Sequence, residues 1–189
     1  MKKEIHVLGL DDAPFELSDK ECLVIGTFFR GGTAMDGVLS TTVEVDGEDA
    51  TTRLIAAINK SKFKSPTQAI FLNGIAFGGF NVLNIHSLHK YTGIPVIVVV
   101  RKMPDFKTLE KTLKKLGMEK KYQLMEKAGM PQEIKTKKGK LYVQMAGIGI
   151  EKTQEILTLC CTQSNIPEAI RAAHLIGAGI VKGESRGKA

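Results

Sequence analysis

His6-Val7-Leu8-Gly9-Leu10-Asp11-Asp12 is an apolar run closed by two carboxylates. A run of this length and composition reads as a buried strand, which delivers its final side chains to the rim of a sheet. Two acids at that exit are what a divalent-cation site needs. A second run, Ala69-Ile70-Phe71-Leu72, ends in Asn73-Gly74 and so puts a neutral amide where a partner carboxylate would complete the site.

Around these two runs the chain alternates strand and helix patterns. Ile5 to Leu10, Glu21 to Arg30 and Val38 to Val45 predict three antiparallel strands, with Gly31-Gly32 and Asp36-Gly37 as turn residues between the second and third. Glu48 to Asn59 carries Leu54, Ile55 and Ile58 at helical spacing, with Asp46 or Asp49 placed to cap its start. Gln68 to Leu72 and Pro95 to Val100 predict parallel strands, joined by a helix over Phe80 to Tyr91. A helix opened by Pro104 and closed near Gly117, a second basic helix ending near Gly129, an edge strand over Leu141 to Ala146, and helices over Glu151 to Cys161 and Pro167 to Val181 complete the reading. This is a single α/β domain over residues 1–182, with a flexible tail over 183–189.

Composition narrows the function classes. The 189 residues are 43% hydrophobic, enough for a core without staples. The three cysteines, Cys22 and the adjacent Cys160-Cys161, match neither a disulfide framework nor a zinc spacing. The N-terminus lacks the pattern of a secretory leader, and no apolar run approaches the roughly 20 residues of a membrane span. A cytoplasmic protein with no membrane partner is expected. The net charge of +7 is concentrated: residues 101–140 hold 13 Lys+Arg against 5 Asp+Glu, and the rest of the chain holds 14 against 15. Lys111, Lys114, Lys115, Lys120, Lys121, Lys135, Lys137, Lys138 and Lys140 form either a phosphate-attracting face or an ordinary solvated surface.

Three antiparallel strands, a crossover helix and then parallel strands is the order of ribonuclease-H-like domains. Gly9-Leu10-Asp11-Asp12, Leu72-Asn73-Gly74-Ile75-Ala76, Thr92-Gly93-Ile94-Pro95-Val96 and Ile166-Pro167-Glu168 through His174 resemble, in this order, segments of endonuclease V. A closer match covers nearly the whole chain. Gly9-Leu10-Asp11-Asp12, Phe29-Arg30-Gly31-Gly32, Val45-Asp46-Gly47-Glu48-Asp49-Ala50-Thr51, Asn73 through Val82 and Asn165-Ile166-Pro167-Glu168 resemble the archaeal endonuclease dU family, similar in fold to endonuclease V.

The resemblance implies a ribonuclease-H-like, endonuclease-V-like mixed sheet flanked by helices. It implies a magnesium-dependent endonuclease (manganese being the other candidate ion) that cleaves DNA at or near deaminated bases such as deoxyuridine or inosine. Carried over by position, Asp11 matches the first metal-binding acid, with Asp12 beside it. The second falls within Asp46, Glu48 and Asp49, and Asn73 stands where the third belongs. His174 matches a helical residue near that site. Asn84 also replaces a usual acid, and the aromatic-proline wedge of endonuclease V has no equivalent here. The metal set is therefore altered, which keeps a non-catalytic nucleic-acid-binding protein of the same fold as the alternative. Phe77 and Phe80 are candidates to line a base pocket. Taken without the resemblance, Asp11-Asp12 reads more readily as a strand-end turn and His174 as a packed helix histidine, while Asn73-Gly74 is open to reading as a plain turn and Asp46 and Asp49 as helix caps.

Overall fold

In a computed structural model, residues 5–185 are described. The elements in chain order are β1 His6–Asp12, β2 Glu21–Arg30, β3 Ala34–Glu44, α1 Ala50–Lys60, β4 Ala69–Asn73, β5 Ala76–Phe77, β6 Asn81–Val82, α2 Ile85–Thr92, β7 Val96–Val100, α3 Phe106–Lys115, α4 Glu119–Lys127, β8 Gln132–Thr136, β9 Gly139–Ala146, α5 Ile150–Cys160 and α6 Glu168–Lys182. Seven strands form one sheet in the order β3-β2-β1-β4-β7-β9-β8, and β5 and β6 form a small hairpin outside it. The expected meander is present, because β1, β2 and β3 pair antiparallel. The expected parallel centre is also present, with β4 between β1 and β7.

Three details differ from the expectation. Leu141 to Ala146 is not an edge: β9 lies inside the sheet, antiparallel to β7, and the edge is β8, a strand whose sequence Gln132-Glu133-Ile134-Lys135-Thr136 buries only Ile134. The helix expected from Phe80 begins at Ile85, because the positive φ of Gly78 (55°) and Gly79 (85°) folds the preceding residues into the β5–β6 hairpin. Asp36-Gly37 lies within β3 rather than in the turn; Phe28 pairs with Gly37 and Phe29 with Met35, so Asp36 is the extra residue of a bulge. Of the expected tail, residues 186–189 lie outside the described residues.

Both faces of the sheet are covered, as the near-continuous apolar strands require. Because successive strand residues face opposite sides, Leu8 and Leu10 pack with Ile70, Leu72, Val96 and Val98 beneath Leu54 and Ile58 of α1 and Ile85 and Leu88 of α2. Val7, Phe71, Ile97 and Val99 pack on the other side against Ile156 and Leu157 of α5 and Ala169 and Ile170 of α6. This parity aims the end of β1. Asp11 shares the α6 face with Val7 and Gly9; Asp12 shares the face of Leu8 and Leu10.

Candidate active site

Register brings Asp11 and Asn73 together. β1 and β4 run parallel with Gly9 opposite Phe71 and Leu10 opposite Leu72, so the next step on each strand sets Asp11 beside Asn73, on the same face. The Asn73 side-chain amide donates to Asp11 Oδ1 at 2.9 Å.

α6 brings the third member. It lies so close over β1 that a Cβ on Gly9 would stand 2.4 Å from the Ala169 carbonyl carbon, and Thr27 Oγ1 locks it there by donating to the Ala169 carbonyl at 2.6 Å. From Ala169 to His174 the helix rises about 7.5 Å, and from Gly9 to Asp11 the strand advances about 6.6 Å. The matched advance lands His174 on Asp11, with Nδ1 2.9 Å from Oδ2. An ionised carboxylate only accepts, so the proton in this bond sits on Nδ1, and in the neutral ring Nε2 is then the acceptor. His174 lines a cavity of about 470 Å³ with Pro14, Ala178 and Lys182.

Asp12 turns to the opposite face, where its Oδ2 accepts from the Gly78 backbone N–H at 2.9 Å. Burial raises the proton affinity of both acids. Asp11, 2% exposed, is pushed up to about 6 by loss of solvent and by the nearby charge of Asp12, against the lowering effect of its bonds from Asn73 and His174. Asp12 is raised for the same first reason, with the Gly78 bond opposing.

The second-acid candidates have other partners. Asp46 adopts φ 53° and accepts from the Phe80 N–H at 2.7 Å, while its own N–H donates to the Gly78 carbonyl at 2.8 Å. Asp49 accepts from the Glu44 N–H (3.0 Å), the Asn81 amide (2.7 Å) and Arg53 Nε (3.0 Å). Partial burial works against its charge, but these bonds outweigh burial and hold its carboxyl below the usual range. Glu48 is exposed. Asp49 occupies the N-cap position of α1 without capping it; Asn81 Oδ1 does so instead, accepting from the Ala50 N–H at 3.0 Å. Asn81, fully buried, is a structural residue that the sequence reading assigned no role, although it stands in a segment that carries the resemblance.

Other candidates resolve simply. Asn84 caps α2 by accepting from the Ser87 N–H, and Arg30 pairs with Asp36 at 2.6 Å. Phe77 is fully buried in the core, so it offers no face to a base, and Phe80 packs beside Leu113 and Met125.

These positions decide whether the residues suit the expected magnesium. A hard cation needs several anionic oxygens turned toward one point. Here both Asp11 oxygens accept from N–H donors, Asn73 presents nitrogen to Asp11 rather than its carbonyl, and the bonds of Asp46 and Asp49 tie them to the Gly78–Asn81 segment and its neighbours. Among the described residues no three His, Cys, Asp or Glu side chains are grouped to hold a metal ion. As folded, the set does not fit the three-acid cage.

The architecture has counterparts among solved structures. Endonuclease V of Ciona intestinalis, crystallised with a 24mer DNA containing an inosine followed by a ribo-adenosine, superposes with a TM-score of 0.58 at 14% identity, over 92% of this chain and 84% of that one. Human endonuclease V gives 0.57 at 13% identity, over 91% and 82%. The fold is thus that of endonuclease V. Within it the chain belongs to the endonuclease dU family, whose model matches residues 3–181. A UPF0215 protein of Methanothermobacter thermautotrophicus is 46% identical over 192 residues, spanning 100% of this chain and 94% of its own length. A crystal structure from Archaeoglobus fulgidus superposes with a TM-score of 0.85 at 34% identity, over 94% of this chain and 99% of that one. Among the described residues no helix is long and apolar enough to cross a membrane.

Proposed function

We propose that this chain is an endodeoxyribonuclease that cuts DNA at or near deaminated bases such as deoxyuridine or inosine. The observation that carries the reading is the Asp11–His174 pair at the carboxyl end of β1, in the fold of proteins crystallised with inosine-containing DNA. Hydrolysis of a phosphodiester needs a water stripped of its proton in line with the leaving oxygen. His174 Nε2 takes that proton as the water oxygen bonds to phosphorus and returns it to the strand oxygen released when its P–O bond breaks, while buried Asp11 fixes the ring and stabilises the imidazolium that forms in between. Lys182, lining the same cavity, offsets charge on the phosphate oxygens. The basic stretch from α3 to β9 attracts the rest of the backbone without reading its sequence. These proton transfers run through the chain's own side chains; the magnesium or manganese that the resemblance implies would require a different arrangement of Asn73.

One observation favours the second reading, a non-catalytic nucleic-acid-binding protein. The Asn73 amide bond to Asp11 fills a position where a carboxylate would repel it, so the site is stable without a cation. A strand-cleavage assay separates the two. Wild type and Asp11→Asn are incubated with duplexes carrying deoxyuridine, inosine or neither, in magnesium, manganese or chelator. Lesion-dependent cutting by wild type alone supports the nuclease. Salt-sensitive binding of the same duplexes without cutting in any buffer removes it and leaves the binder.

A further inference from the structure

We propose that a second cavity, walled by α1, α2 and α4, binds the phosphate group of a nucleotide. It is distinct from the Asp11 site, has a volume of about 530 Å³ and shares no lining residue with the His174 cavity. That volume suits a small-molecule ligand.

Lys121 on α4 is 6% exposed and lines this cavity, and its Nζ donates to the main-chain carbonyl of Asp46. None of the ion pairs among the described residues involves it. An ammonium carries three donors, and a buried charge is normally paired with its opposite. One carbonyl leaves both conditions unmet. Lys120 and Lys127, exposed on the same helix, stand on the rim, and the single acid in the lining is the exposed Glu48. Three lysines against one glutamate favour an anion.

The rest of the wall selects the kind of anion. Ile55 and Leu124 supply an apolar surface, and Tyr91, 59% exposed, stands beside it as a ring on which a base can stack. Ser87 adds a hydroxyl for a sugar. A phosphate, a sugar and a planar base match these three parts. The ligand is a nucleoside monophosphate, either free or as one unit of a strand. This assignment stands independently of the nuclease reading.

Calorimetric titration of the full chain tests it, with AMP, UMP, uridine, inorganic phosphate and a ten-nucleotide oligo(dT) as probes. Binding of either monophosphate more tightly than uridine or phosphate, weakened at least tenfold by Lys121→Met, is the expected result. Lys127→Glu guards against loss of fold in Lys121→Met: this surface change should weaken binding severalfold with an unchanged melting temperature. Binding of the oligonucleotide alone, lost in both cavity-lysine variants and kept in Lys152→Met, an exposed lysine of α5 outside the lining, supports the same site with a strand as the source. Absence of binding by all probes at millimolar concentration, or binding indifferent to both lysine changes, overturns the proposal.

Discussion

Asp11 and Lys121 are both closed off from solvent, 2% and 6% exposed, and a short chain of hydrogen bonds joins their surroundings. Lys121 bonds the Asp46 carbonyl, the Asp46 N–H bonds the Gly78 carbonyl, and the Gly78 N–H bonds Asp12 beside Asp11. A fold selected for stability alone would pair two buried opposite charges or dispense with both. This one keeps them on opposite sides of the Gly78 loop and treats them differently. The carboxylate receives two N–H donors that favour its charge, yet burial and the like charge of Asp12 outweigh them and move its proton affinity toward neutrality, which suits proton transfer. The ammonium receives a carbonyl, which leaves its charge for an incoming anion. Two buried groups of opposite sign that are not paired with each other point to two ligand-facing places, one for chemistry and one for holding.

The most severe way to break the Asp11 side is Asp11→Asn. An amide cannot stabilise the imidazolium on His174, so lesion cleavage should fall by about a thousandfold or more, on the order of 4 kcal/mol of barrier. Single-turnover cleavage rates measure this, and His174→Gln should lose a similar factor. Retained cleavage in either variant would show that the pair does not carry the proton.

Gly9→Ala attacks the same side through the scaffold. Its methyl would stand 2.4 Å from the backbone of Ala169, which cannot yield as a side-chain tip can, so α6 must lift. A loss of about 3 kcal/mol is expected from urea unfolding, with a matching loss of His174's approach. An unchanged midpoint would mean that the helix has slack over β1.

Asn73→Asp sharpens the comparison by making the anionic side more anionic. The introduced carboxylate would crowd that of Asp11, with the charge of Asp12 close by on the other face, an arrangement that a cation between the two facing carboxylates would stabilise. Magnesium affinity by calorimetry should rise about 10- to 100-fold, and the variant should be less stable than wild type in chelator. Equal affinity would place any metal elsewhere.

Much of the Asp11 side was legible in the sequence. Apolar runs 6–10 and 69–72 announced buried strands, and parallel pairing then forces Asp11 next to Asn73. His174 could not be placed so. It stands among alanine and aliphatic residues, and only the close approach at Gly9 and Ala169 fixes its reach; resemblance supplied what periodicity could not. The choice among Asp46, Glu48 and Asp49 stayed open because a sequence does not say which carboxylate a neighbouring loop will claim, and the β5–β6 hairpin that claims Asp46 depends on two glycines at positive φ inside an apparently helical pattern. β8 escaped because an edge strand with one buried residue lacks the alternation that marks strands. The lysines of 135–140, read as part of one basic face with those of α3 and α4, belong partly to that edge and its turn.

The smallest expected effect concerns pH and tests whether Asp11 is held at a cost. Its proton affinity is raised from an ordinary 3.8 to about 6 in the folded chain, chiefly by burial. Between these values the folded state holds a proton that the unfolded state has lost, so stability is fully present below about 4 and declines as pH rises through about 6. Asp11→Asn removes the titrating group while keeping its shape, and both the Asn73 amide and the His174 ring can reorient to meet it. Unfolding curves from about pH 4 to 7 should therefore show the variant gaining on wild type by about 2 kcal/mol, most of it before about pH 6.5. Asp12, raised in the same direction, titrates in both proteins and largely cancels. A difference that does not change with pH would mean that Asn73 and His174 fully compensate the buried charge, and the contrast with Lys121 would then rest on geometry alone.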